Sequence, residues 1–244
     1  DTTGSQPSLF SQNNFSLQMG FDFRKVDLNS TAGDRELKIS SALTPTFGFD
    51  YTFNFHPNIG LKTGATLGFI SNRFSFDLNE ANSGIDQIDM SHSHRTRQPY
   101  LTVPLILEPR IVIKERNVLS LEAGVAFNFT RSHQENIGVS WQNAAGESVP
   151  VFSSQVNYFG GAFRPNYHLG ISYSRVLKNS DMLKFGLFYN FNNQQMMNGS
   201  YAFIENGNEV QGGTFSSKRA FAGFKLGYVF SGNKKVKRAK GRNK

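Results

Sequence analysis

The side chains that could do chemistry are few and mostly charged. His168 and Ser172 stand in a stretch where Tyr167, Leu169, Ile171 and Tyr173 alternate with Asn166, His168, Gly170, Ser172 and Ser174. A period of two is a β-strand with unlike faces, so the two polar groups share one face. Four residues along an extended chain is about 13 Å. That is too far for the serine to pass its proton to that imidazole. His168 with a serine on another strand and an inward carboxylate stays open as hydrolase chemistry. His92-Ser93-His94, with Asp86 and Asp89 nearby, is the second cluster. Two imidazoles at i and i+2 can take one metal from a strand, but two ligands do not complete a site. The bland reading, a solvated polar loop, outweighs it, so no metal and no cofactor are expected.

Charge placed on the polar face of alternating stretches is the third feature. Asp22, Asp50, Glu108 and Glu122 fall there, and so do Arg24, Lys62, Lys184 and Lys225. Four acids against four bases read as a paired network, because unpaired buried charges cost several kcal/mol each. The fourth feature is the run from Lys234 to Lys244. Lys234, Lys235, Lys237, Arg238, Lys240, Arg242 and Lys244 stand there with no acid among them. Such a run cannot bury itself.

The elements that must position these groups are strands. Phe47, Phe49, Tyr51, Phe53 and Phe55 alternate with Gly48, Asp50, Thr52 and Asn54. Similar alternation runs through Phe15–Arg24, Ile59–Phe69, Leu101–Glu108, Leu119–Thr130, Asn166–Ser174, Leu183–Phe191 and Ala222–Phe230. Pro104 inside the fourth of these eight strands predicts a bulge or bend. Short turns are expected at His56-Pro57-Asn58, near Lys114–Asn117 and at Lys178–Asp181. Long polar stretches at Asp27–Lys38, Asn72–Arg97, Arg131–Gly160 and Asn192–Ser217 read as loops. Long and short connections therefore alternate along the chain. That is the plan of an up-and-down antiparallel transmembrane barrel, with short turns at one end and long loops at the other. A soluble sandwich has no reason for it. The layout predicts residues 1–14 as a lead-in, 15–230 as an eight-stranded β-barrel and 231–244 as a basic tail.

Composition agrees. The chain has 244 residues, 24 Phe and one Trp. Mean hydropathy is −0.39, as expected when half of every strand is polar. No apolar run approaches the roughly 18 residues of a membrane-spanning helix. The absence of Cys excludes disulfides and thiolate metal sites. Net charge is +8, much of it in the tail.

Tyr100-Leu101-Thr102-Val103-Pro104-Leu105-Ile106-Leu107 resembles the strand-four signature of the PorT-like family of small bacterial outer-membrane barrels. Members commonly read Tyr-Leu-x-x-Pro-Leu-Leu-Leu there. The family is mostly non-enzymatic, and its best-known branch resembles an accessory part of the type IX protein secretion system. Family barrels usually end at or very near the final aromatic. Here Ser231–Lys244 follows Phe230.

The expectation is a non-catalytic accessory or scaffold subunit in a bacterial outer membrane, with both termini in the periplasm. Its partners would be outer-membrane lipid and other outer-membrane or periplasmic proteins, not nucleic acid. The tail would dock to an acidic surface or to anionic headgroups. The alternatives are a lipid-modifying hydrolase or acyltransferase, and a narrow pore.

Overall fold

The computed structural model describes residues 12–114, 116–160 and 165–231. The basic tail from Lys234 and all but the last three residues of the lead-in lie outside the described residues.

The strands are β1 (Asn13–Phe23), β2 (Val26–Ser30), β3 (Lys38–Ser41), β4 (Thr44–His56), β5 (Ile59–Asn79), β6 (Asp89–Lys114) and β7 (Asn117–Thr130). After them come β8 (His133–Gln142), β9 (Ser148–Tyr158), β10 (Pro165–Val176), β11 (Met182–Phe191), β12 (Gln195–Glu205), β13 (Asn208–Lys218) and β14 (Phe221–Ser231). One helical turn, α1 (Glu80–Ser83), caps the β5–β6 hairpin.

Eight strands pair antiparallel in the ring β5-β4-β1-β14-β11-β10-β7-β6, and β6 pairs back with β5 to close it. Closure leaves no edge, which is what lets strands cross a bilayer with every backbone group bonded. The three short turns and the outer ends of β1 and β14 lie at one end of the ring. All long connections leave from the other.

The aromatic half of each strand points outward. Phe49, Tyr51, Leu105, Leu121, Leu169, Leu187 and Leu226 are all exposed, between 42% and 53%. Burying the opposite, polar half while exposing Phe and Leu inverts a soluble protein. The arrangement is stable only where the outside is hydrocarbon.

The long connections are not loops, which corrects the sequence reading. β5 and β6 run past the barrel as one extended hairpin. From the other connections, β2-β13-β12-β9-β8 form a separate five-stranded sheet. This sheet packs on the extension around Phe74, Phe76, Val151, Phe152, Val156, Met197 and Phe203, all at most 2% exposed. Asn72 donates to Met197 Sδ at 3.1 Å and Tyr158 to Thr96 Oγ1 at 2.6 Å, tying the two parts together. Two of these strand pairs, β8–β9 and β12–β13, are local hairpins, but the sheet is assembled by remote pairings: β9 meets β12, and β2 pairs with β13, where Leu28 faces Phe215. His92 and His94 therefore sit on a strand and not in a loop.

Pro104 makes no bulge. Thr63 pairs with Leu105 and Thr66 with Thr102, so the β5–β6 register is the same on both sides of it. The ladder lapses opposite Gly64 and Ala65, which accommodates the missing N–H.

Candidate functional site in the barrel lumen

Eight strands leave a lumen that side chains can fill, and here charged ones fill the half nearer the short turns. Glu122 on β7 is the hub. Its Oε2 lies 2.6 Å from Lys62 Nζ and 2.8 Å from Lys225 Nζ, and its Oε1 lies 2.9 Å from Lys184 Nζ. Ser172 donates to Oε1 at 3.2 Å, and His168 Nε2 is 3.3 Å from Oε2. Glu108 on β6 takes Lys184 at 2.8 Å and Arg110 Nε at 3.2 Å. Asp50 lies 4.0 Å from Lys62 and accepts from Gln18 at 3.1 Å. Among the described residues, three carboxylates thus meet Lys62, Lys184, Lys225 and Arg110. Single-partner removal is expensive in such a site, because the remaining charge stays buried.

Asp22 and Arg24 do not join this network. They stand at the mouth where the long connections leave. There the Tyr100 hydroxyl donates to Asp22, and the Arg24 guanidinium lies 4.0 Å from the Phe221 ring centroid and 5.0 Å from that of Tyr100. The lumen is therefore stoppered twice. Between the stoppers lies a cavity of about 60 Å³ bordered by Asp22, Tyr100 and Phe221 on one side and Asp50, Lys62 and Lys225 on the other. A second, of about 20 Å³, lies by Glu108, Arg110 and Lys184. Such volumes hold a few waters and no solute.

Ser172, His168 and a carboxylate do come together, but in the wrong order for acyl transfer. A nucleophile needs the imidazole between hydroxyl and acid. Here the carboxylate sits between them: both Ser172 and His168 bond to Glu122. The other imidazole nitrogen, Nδ1, lies 2.9 Å from the Asn190 amide. Both ring nitrogens are thus occupied without the serine. All three side chains are at most 5% exposed, closed from lipid by the barrel wall.

His92 and His94 do not build a metal centre. His94 Nε2 meets Glu135 Oε1 at 3.0 Å, while the His92 ring packs 5.3 Å from that of Phe76. Burial and the neighbouring His94 push the His92 pKa down. Among the described residues, no group of three or more His, Cys, Asp or Glu side chains could hold a metal ion.

The model of the outer membrane protein β-barrel domain matches residues 10–193. The chain belongs to this family. Its members span the bacterial outer membrane, and the outward aromatic band described above is the surface that does so. No curated protein matches the chain in sequence. Among solved structures, this outer-membrane barrel is similar to OprG of Pseudomonas aeruginosa, at 11% identity and a TM-score of 0.44, covering 91% of this chain and 98% of that one. It is also similar to a major outer membrane protein of Thermus thermophilus, at 13% identity and a TM-score of 0.43, covering 89% and 98%. A third is the outer membrane protease OmpT of Escherichia coli, at 11% identity and a TM-score of 0.40, covering 94% and 100%.

Arg110 and Tyr100 are among the lumen's members missed from sequence. Arg110 follows Glu108 by two residues, so strand parity already put it inward. Tyr100 shares that parity, but it is neither acid nor base and was not among the charges read as the network.

Proposed function

We propose that this outer-membrane barrel is a non-catalytic scaffold. The barrel would anchor, and the five-stranded sheet would dock partner proteins in a larger outer-membrane assembly. One observation carries this reading. The mass beyond the membrane is a sheet with its own buried apolar core, while the lumen is filled by ion pairs. A pore would need a water-filled lumen, and a hydrolase would need a serine bonded to its base.

The Tyr100–Leu107 resemblance to PorT-like barrels is in line with an assembly that secretes protein. In that orientation the short turns face the periplasm, and the tail from Lys234 is a second, salt-sensitive contact.

The test is gentle detergent extraction of the native membrane with crosslinking. Wild type is compared with a chain whose β12–β13 hairpin is replaced by a short turn. Partners lost with the hairpin and kept by wild type support the scaffold. A purified wild type that recovers alone under crosslinking, and conducts ions in planar bilayers, overturns it in favour of a pore.

A further inference from the structure

The outward surface of the barrel is almost free of charge. From the short turns up to the Phe69–Pro99 pair, Arg175 is the one charged side chain on the outward face of the eight strands, among the described residues. It stands at the short-turn end, one residue before β10 ends at Val176. Immediately past Phe69 and Pro99, at the other end of the apolar band, the character changes. Arg97 pairs with Ser71, and then Arg73 stands directly opposite Arg95. All three arginines are exposed.

A like-charged pair directly across a ladder is destabilising. It persists where something offsets it, and among the described residues no carboxylate pairs with either arginine. Arg73 Nε donates to Ser93 Oγ at 2.7 Å and Arg95 Nε to Ser71 Oγ at 2.8 Å. These neutral partners splay the two guanidinium groups and leave their charge uncompensated. The next acid on this face of β5, Asp77, lies four residues farther from the membrane and accepts from Ser91 at 2.5 Å. Lys38 on β3 is already matched by Glu36 at 3.6 Å. Ser40, opposite Arg73 on the other side, completes a shallow pocket of about 460 Å³ with Ala42, Arg73, Ser93 and Arg95.

The height fits one layer of a membrane. At about 3.4 Å per residue, Arg97 and Arg95 stand roughly 7 and 14 Å beyond Pro99 along a tilted strand. Headgroups occupy about 5–7 Å beyond the hydrocarbon on each side. Arg95 reaches back toward that layer, to Ser71 opposite Arg97, whereas Arg73 turns away from it, to Ser93 opposite Ser75. Guanidinium forks match phosphate oxygens.

We propose that Arg95 and Arg97 form a binding site for the phosphate of a membrane lipid in the leaflet at the long-connection end, with the like charge of Arg73 behind them. The lipid's acyl chains would lie along the outward band below Phe69 and Leu101. The site is independent of the lumen and of the docking sheet.

The probes are phosphatidic acid, a phosphomonoester lipid, and zwitterionic phosphatidylcholine. They are added to the full-length purified protein in detergent, and retention is read by native mass spectrometry. Wild type should retain phosphatidic acid in preference to phosphatidylcholine. Each guanidinium removed should weaken retention about five-fold, so Arg95→Gln with Arg97→Gln should lose about twenty-five-fold. Arg175→Gln, at the other end, should leave it unchanged. Glutamines at these exposed sites should keep the fold, which heat-shifted gel migration checks. Equal retention of the two lipids, or no loss in the double variant, overturns the proposal. Displacement by millimolar inorganic phosphate as effective as by lipid also overturns it, because the site would then take a soluble anion.

Discussion

Lys225 on β14 reaches Glu122 on β7 at 2.8 Å, although two strands of the ring, β11 and β10, lie between them. The pair spans the lumen as a strap, and Lys62 and Lys184 close on the same carboxylate from other walls.

Glu122→Gln should therefore lose more than one bond. Three ammonium groups would keep their burial and lose the counter-charge they share, with Lys184 left to Glu108, Lys62 to the more distant Asp50, and Lys225 most exposed to the loss. A destabilisation of about 3–5 kcal/mol is expected, read as a shift of the urea midpoint in reversible folding into lipid vesicles. A change below about 1 kcal/mol would mean that the ammonium groups find water, and that the lumen is wetter than its two small cavities allow.

Leu121 neighbours Glu122 but points the other way, 53% exposed on the outer wall. Leu121→Arg should cost about 2–4 kcal/mol near the bilayer midplane. A spin label at this position should be relaxed by oxygen and not by aqueous nickel chelates. Relaxation by the aqueous reagent would remove Leu121 from the lipid-facing surface.

Arg35 locks the outer sheet to the tip of the β5–β6 hairpin. Its guanidinium pairs with Glu205 at 2.8 Å and donates to the carbonyls of Asn82, at 3.0 Å, and Ser83. Arg35→Met should cost about 1.5–3 kcal/mol of local stability, the worth of hydrogen bonds to a charged group. Limited proteolysis should then cut near Ser83 and Glu205 faster than in wild type. Heat-shifted gel migration of the barrel should not change. Unaltered cleavage would show that the apolar core holds the sheet without the latch.

Asp181, in the turn between β10 and β11, holds the end of the last strand. It accepts from the Tyr228 hydroxyl at 2.6 Å and from the Ser231 amide at 2.9 Å. These bonds, the Tyr228 one foremost, lower its pKa. A carboxyl lowered in the folded state stabilises above its unfolded value, about 3.9, and that contribution is lost as pH falls through the folded value. Exchange of the Ser231 amide should therefore quicken, relative to intrinsic rates, once pH drops below about 4. Asp181→Asn should show the quickened exchange at neutral pH and no step on acidification. A wild type without the step would sever this link.

Alternation is a local property, and locally the chain states a great deal. The parity of Phe47–Phe55 and of the seven similar stretches sorts every side chain to one face or the other. Lipid-facing Leu121 and inward Glu122 are therefore legible from the chain alone. So is Arg110, two residues from Glu108. The alternation of long and short connections then implies a ring. Pairing across the ring is different. That Glu122 gathers Lys62, Lys184 and Lys225, while Asp22 takes Tyr100, depends on the stagger with which eight strands close, and no single strand carries that information. The five-stranded sheet was hidden for the same reason. Val26–Ser30 becomes a strand through β13, far along the chain, and the β8–β9 and β12–β13 hairpins join into one sheet only where β9 meets β12. The Arg73–Arg95 pair likewise exists only in the register of one hairpin. Sequence determined which residues face in and which face out, because that depends on a period of two. Tertiary structure decided which of them meet, because that depends on register and closure.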